Sequence, residues 1–116
     1  MFVGVARFVL QMPGARSLKD RRSVVRSFKD RVRARLKASV AEVGDVEAWQ
    51  IATVAIAVVS RERPRCDEAL SAVTSIAGSL SEAILADVRT EVLSFGKGGE
   101  NIRGGIEHSL DEESDS

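Results

Sequence analysis

Ten Lys and Arg residues lie between Arg16 and Lys37 against only Asp20 and Asp30, so this stretch carries +8 in a chain of zero formal net charge. Clustered cations on one surface hold phosphates, because they release condensed counterions when they meet a polyanion. Their spacing is helical. At about 100° per residue, Lys19, Arg22, Arg26, Lys29, Arg33 and Lys37 share one arc, and Leu18, Val25, Phe28, Val32 and Leu36 share another. The pattern predicts one helix with a buried face and a cationic face. Arg16, just ahead of it, joins the six as a candidate nucleic-acid-binding residue. The competing reading is a solvated helix face, since surface charge by itself is weak evidence of a ligand.

Other reactive residue types are few. Cys66 is the single cysteine and His108 the single histidine, too few nitrogen and sulfur ligands for a zinc site. No intrachain disulfide can form, and a reducing cytoplasm is the expected compartment. Cys66 has Arg65 beside it but no base, so it reads as buried filler rather than a nucleophile. Gly96-Lys97-Gly98-Gly99 lacks the Lys-Ser/Thr pair of a phosphate loop. No catalytic residue, cofactor site or metal site is visible. Trp49 is expected to be a packing anchor.

The elements that position the cations can be read from periodicity. Phe2 to Met12 alternates Ala6, Phe8, Leu10 and Met12 against Val5, Arg7, Val9 and Gln11, as a strand with one buried face does. Pro13-Gly14 stops it, and Ser17 is the expected helix N-cap, with Asp20 as its capping acid. After the helix, Ser39 to Val43 is a short strand followed by turn residues at Gly44-Asp45 and Glu47. Gln50 to Ser60, rich in Val and Ile, reads as a central strand. A second helix starts near Pro64 or Cys66 and presents Ala69, Leu70, Val73, Ile76, Ala77 and Leu80 on one face. Ile84 to Leu93 alternates Ile84, Ala86, Val88, Thr90 and Val92 against Asp87, Arg89 and Glu91. The order β-α-β-β-α-β is the split βαβ of an α+β, ferredoxin-like sandwich. Right-handed crossovers place the first and third strands at the centre of an antiparallel-mixed sheet, with both helices on one face.

The 116 residues, 44% hydrophobic and 29% charged, accommodate one domain with a modest core. Residues 1–95 form it. Residues 96–116 are Gly-rich and then acidic, a composition expected to be a disordered tail. That tail is a possible internal competitor for the basic helix. The apolar start is interrupted by Arg7 and is too short to span a bilayer, and no basic region precedes it, so neither a membrane span nor a signal peptide is expected.

Pro13-Gly14-Ala15-Arg16-Ser17-Leu18-Lys19-Asp20-Arg21-Arg22, Val24-Val25-Arg26, Ser39-Val40-Ala41-Glu42-Val43, Trp49-Gln50 and Val58-Val59-Ser60 together resemble the YlxP-like family of small bacterial proteins. The resemblance covers about residues 1 to 95, and the acidic tail departs from it. It implies a ferredoxin-like fold and brings no established activity. Family genes often lie beside those for translation initiation and ribosome-binding factor A, which implies an RNA or ribosome connection by association.

The expected function is therefore a non-enzymatic RNA- or ribosome-associated factor that meets phosphates with its first helix. The alternative is a homo-oligomeric adaptor or structural module without a nucleic acid ligand. Its homodimer interface would be the open sheet face, where Val3, Val5, Val9, Ala55, Ala57 and Val59 are more apolar than solvated residues need to be. A second alternative is an anion-binding enzyme like the acylphosphatases, with Pro13 to Ser17 and Arg16 at a helix N-terminus as its phosphate loop. Such enzymes position water with an asparagine, whereas the only one here is Asn101. A sheet-face RNA reader is disfavoured because the exposed strands lack aromatics.

Overall fold

The computed structural model describes residues 1–45 and 48–96, and the expectations for the tail and for Glu47 lie outside these. The elements are β1 (Phe2–Gln11), α1 (Leu18–Arg35), β2 (Ser39–Val43), β3 (Ile51–Ser60), α2 (Arg63–Gly78) and β4 (Ile84–Ser94). They form one four-stranded sheet of order β2-β3-β1-β4. This is the ferredoxin-like arrangement expected from the order of elements. Every pairing is antiparallel rather than mixed. Each helical crossover returns the chain parallel to the strand it left but two positions away, and the intervening strand runs the other way.

The two arcs of α1 are separated as their spacing predicts, with Val25, Phe28 and Val32 buried; Val24 is buried too. Phe28 meets Phe8 of β1 edge to face, ring centres 5.8 Å apart. Such a pair adds about 1 kcal/mol beyond the area it buries. Ser17 caps the helix: its Oγ accepts from the Asp20 N–H at 3.2 Å, and Asp20 Oδ2 accepts from the Arg16 N–H at 2.9 Å. Arg33 and Arg35 in the last turn complement the negative end of the helix dipole. Helix α2 starts with Pro64 in its first turn and buries Cys66, Leu70, Val73, Ile76 and Ala77 against β1 and β3.

Gly4 lets α2 come close. A Cβ there would lie 3.0 Å from Val58 Cγ2, 3.2 Å from Cys66 Cβ and 3.3 Å from Leu70 Cδ1. Gly4→Val is therefore expected to destabilise the fold by about 2 kcal/mol through overpacking, with Gly4→Ala intermediate. Chemical denaturation measures this directly, and an unchanged midpoint for Gly4→Val would show that α2 is not held at this distance.

Two sequence expectations are corrected. In β4 the register shifts between Val9 and Leu10 of β1, which pair with Asp87 and Leu85 and leave Ala86 as the extra residue. The bulge turns Leu85 toward the core and leaves Ile84 exposed, so Ile84 and Ala86 do not share a buried face with Val88 and Val92. Trp49 is 52% exposed and is no packing anchor. It lies in the turn between β2 and β3. Its neighbour Gln50 does the fastening there, donating to the carbonyls of Pro13 and Ala15 at 3.2 and 3.4 Å.

Candidate nucleic-acid interface

Helix α1 has 18 residues and is about 27 Å long at 1.5 Å per residue. Because Val25, Phe28 and Val32 fix its rotation on the sheet, Lys19, Arg22, Arg26 and Arg33 are exposed and Lys29 is half-buried. Arg22, Arg26, Lys29 and Arg33 line a groove toward β2, and Lys19, Arg22 and Arg26 line a second hollow on the outer side of the helix. Asp30 borders both. Among the described residues no carboxylate lies within 4.0 Å of the cationic groups of Lys19, Arg22, Arg26 or Lys29. Arg33 donates to the Val40 carbonyl at 3.3 Å. Arg31 borders the outer hollow too, but donates to Ser79 Oγ at 2.9 Å, at the end of α2.

The other two candidates stand apart from this face. Arg16 precedes the N-cap. Lys37 follows the last turn and shares a hollow with Arg61, Arg65 and the acids Glu62 and Glu68. The continuous cationic surface is thus Lys19, Arg22, Arg26, Lys29 and Arg33, spanning about 21 Å along the axis.

Arg21 belongs to the opposite side of the helix. It is 2% exposed and forms an ion pair with Glu42 on the inward face of β2. Its Nε donates to the Ile51 carbonyl at 3.2 Å, and a terminal nitrogen approaches the Asp45 carbonyl at 3.4 Å. One side chain therefore ties α1 to both ends of the β2–β3 connection. Residue 21 lies four before Val25 and seven before Phe28, inside the apolar stripe, and that spacing was the available signal. It removes one cation from the ten that the sequence offers a partner.

The Pro13 to Ser17 segment offers an anion little. The Ala15 N–H is bound to the Met12 carbonyl and that of Arg21 to the Ser17 carbonyl. The Arg16 and Asp20 N–H groups are taken by the cap, and the carboxylates of Asp20 and Glu82 line the hollow beside the loop. Cys66 is fully buried, its Sγ 3.7 Å from the Phe2 carbonyl. Among the described residues no group of three His, Cys, Asp or Glu side chains is placed to hold a metal ion, and no helix is long and apolar enough to cross a membrane.

Val3, Val5, Val9, Ala55, Ala57 and Val59 all fall on the sheet face away from the helices, where the register sets Val3 opposite Val59, Val5 opposite Ala57 and Arg7 opposite Ala55. Val59 is 66% exposed. The face is not wholly apolar: Arg7 lies opposite Arg89, with Asp87 and Glu91 on the same side of β4.

Comparison with known proteins agrees with this architecture. The de novo designed protein Foldit4 superposes with a TM-score of 0.51 at 9% identity, covering 83% of this chain and 100% of that one. The solution NMR structure of the de novo designed protein LFR1 1, with ferredoxin fold, gives 0.50 at 13% identity over 84% of this chain and 90% of that one. At these identities the likeness is one of fold. The Bacillus subtilis (strain 168) protein described as uncharacterized protein YlxP is 30% identical over 89 residues, which is 77% of this chain and 97% of the relative. Residues 3–90 match the model of the family described as protein of unknown function (DUF503). Nearly the whole folded part is covered by both matches, and the chain belongs to the DUF503 family, in which YlxP is a relative.

Proposed function

We propose that this protein acts by binding, and that α1 docks on the phosphate backbone of RNA, ribosomal RNA included, in the cytoplasm. The observation that carries the reading is the row Lys19, Arg22, Arg26 and Lys29, exposed or half-buried with no acid within 4.0 Å among the described residues. A helix face evolved only for solubility is usually laced with acids at i+3 and i+4, which add stability. Here the acids beside these cations are Asp30 and, in the groove toward β2, Glu42, which Arg21 already holds. A duplex carries a phosphate about every 3.4 Å along each strand, so a surface about 21 Å long faces roughly six of them.

The test is a titration of RNA against salt. Five phosphate contacts give a slope near −3.5 in log affinity per log salt for a single strand, so raising salt fourfold should weaken binding about 100-fold. Absence of saturable binding near 0.1 M salt, with the protein folded, would overturn the reading.

A further inference from the structure

We propose that the open sheet face is covered by a second copy of this chain, related by a two-fold axis across the strands that places Arg89 of each copy against Glu91 of the other. The argument starts from an imbalance within one copy. Arg7 and Arg89 are directly opposed across β1 and β4, a like-charge pair that a sheet disfavours. Both reach the same carboxylate, Asp87, at 3.8 and 4.0 Å. Glu91, one row along on the same face, has no cation within 4.0 Å among the described residues. The face therefore has two arginines sharing one acid and a second acid left over.

A two-fold interface requires a patch complementary to itself, because when residue i meets j, residue j meets i. Rows on one face of a strand are about 7 Å apart, and the Arg7/Arg89 row adjoins the Val5/Glu91 row. An axis between these rows superposes each arginine row on the other copy's Val5/Glu91 row. Both leftover carboxylates gain a guanidinium. The strands of the two sheets remain aligned, as in face-to-face sheet packing at about 10 Å. The small side chains Ala41, Ala55 and Ala57 leave room for that approach.

Area and charge favour a second copy over other occupants. Strands of ten, five, ten and eleven residues, about 4.8 Å apart, give about 570 Å² per copy and about 1,150 Å² for the pair, near the lower limit of stable interfaces. Arg7 and Arg89 against Asp87 and Glu91 sum to zero, so the face does not attract a polyanion. The exposed ring of Phe95 follows the end of β4, six residues beyond Arg89, so among the described strand residues no aromatic is interleaved with the arginines on this face for a base to stack on. Since α1 lies on the other side of the sheet, this interface does not depend on the RNA reading.

Sedimentation of the full chain over a range of concentrations tests it. The wild type should be a dimer in the micromolar range. Arg89→Glu and Glu91→Arg should each raise the dissociation constant at least about tenfold by setting like charges together, and the double variant should return most of the loss. Val5→Lys, a change of an outward residue, should give monomer, with circular dichroism confirming the fold. A wild type that stays monomeric in the upper micromolar range overturns the proposal. So does a dimer indifferent to Val5→Lys, which would place the contact on another surface.

Discussion

Replacing Arg21 by alanine is expected to lower the thermal midpoint by on the order of 15 °C, a loss of about 3 kcal/mol. The guanidinium is 2% exposed, and its removal takes from the buried Glu42 Oε2 the one cation within 4.0 Å among the described residues, and from the carbonyls of Ile51 and Asp45 a donor each. Breaking a buried pair costs about 3–5 kcal/mol because the remaining charge is left without a partner. The lower figure applies because the Glu42 side chain keeps 17% of its surface in water. Removing both charges should hurt much less. Arg21→Met with Glu42→Leu is expected to fall within about 1 kcal/mol of the wild type, since apolar replacement of a whole buried pair is often neutral. If Arg21→Ala alone unfolds at the wild-type temperature, the pair does not anchor the β2–β3 connection.

The next residue in the chain should behave in the opposite way. Arg22→Glu together with Arg26→Glu is expected to leave the thermal midpoint nearly unchanged, because both side chains are exposed and neither pairs with an acid. Its effect is on RNA. Each single-strand phosphate contact contributes about 0.7 decades at 0.1 M salt, so losing two weakens binding about 25-fold before repulsion is counted, and flattens the salt slope by about 1.4. Arg65→Glu is the control: it reverses an exposed charge on α2, in a different hollow from this face. A uniform loss in both variants would mean that net charge, not this face, draws the RNA. Arg33 is less suitable for reversal, since it also holds the Val40 carbonyl.

Most of the architecture was readable from periodicity because one-sided burial enforces it. Phe8, Leu10 and Met12 must lie on one side of β1 if Val25, Phe28 and Val32 are to cover them, and the sequence spells out both patterns. Arg21 was hidden because its type contradicts its position. A cation at a stripe position reads as surface until the acid that neutralises it is seen, and Glu42 lies on another element. The bulge at Ala86 was hidden for a different reason. An extra residue changes which side chains face inward without altering composition, and Ile84-Leu85 offers an apolar residue in either register. For Trp49 the residue type suggests a packing anchor. Placed in the turn between β2 and β3, outside any strand or helix, the residue is left 52% exposed.

The pairing of β1 also has a kinetic side. Its partners are β3 and β4, with Phe2 beside both Ser60 and Ser94, so one of the sheet's two central strands is the first of the four to be synthesised and waits for the last. Closing such long loops precedes the contacts that reward it, which places folding well below the microsecond rates of helical bundles. Until β4 emerges, Phe8 and Leu10 belong to a strand with an unpaired edge, the kind of surface that chaperones hold and aggregates recruit. A ribosome-bound chain that ends within α2 should therefore be protease-sensitive throughout β1, and protection should appear only once Ser94 has cleared the exit tunnel.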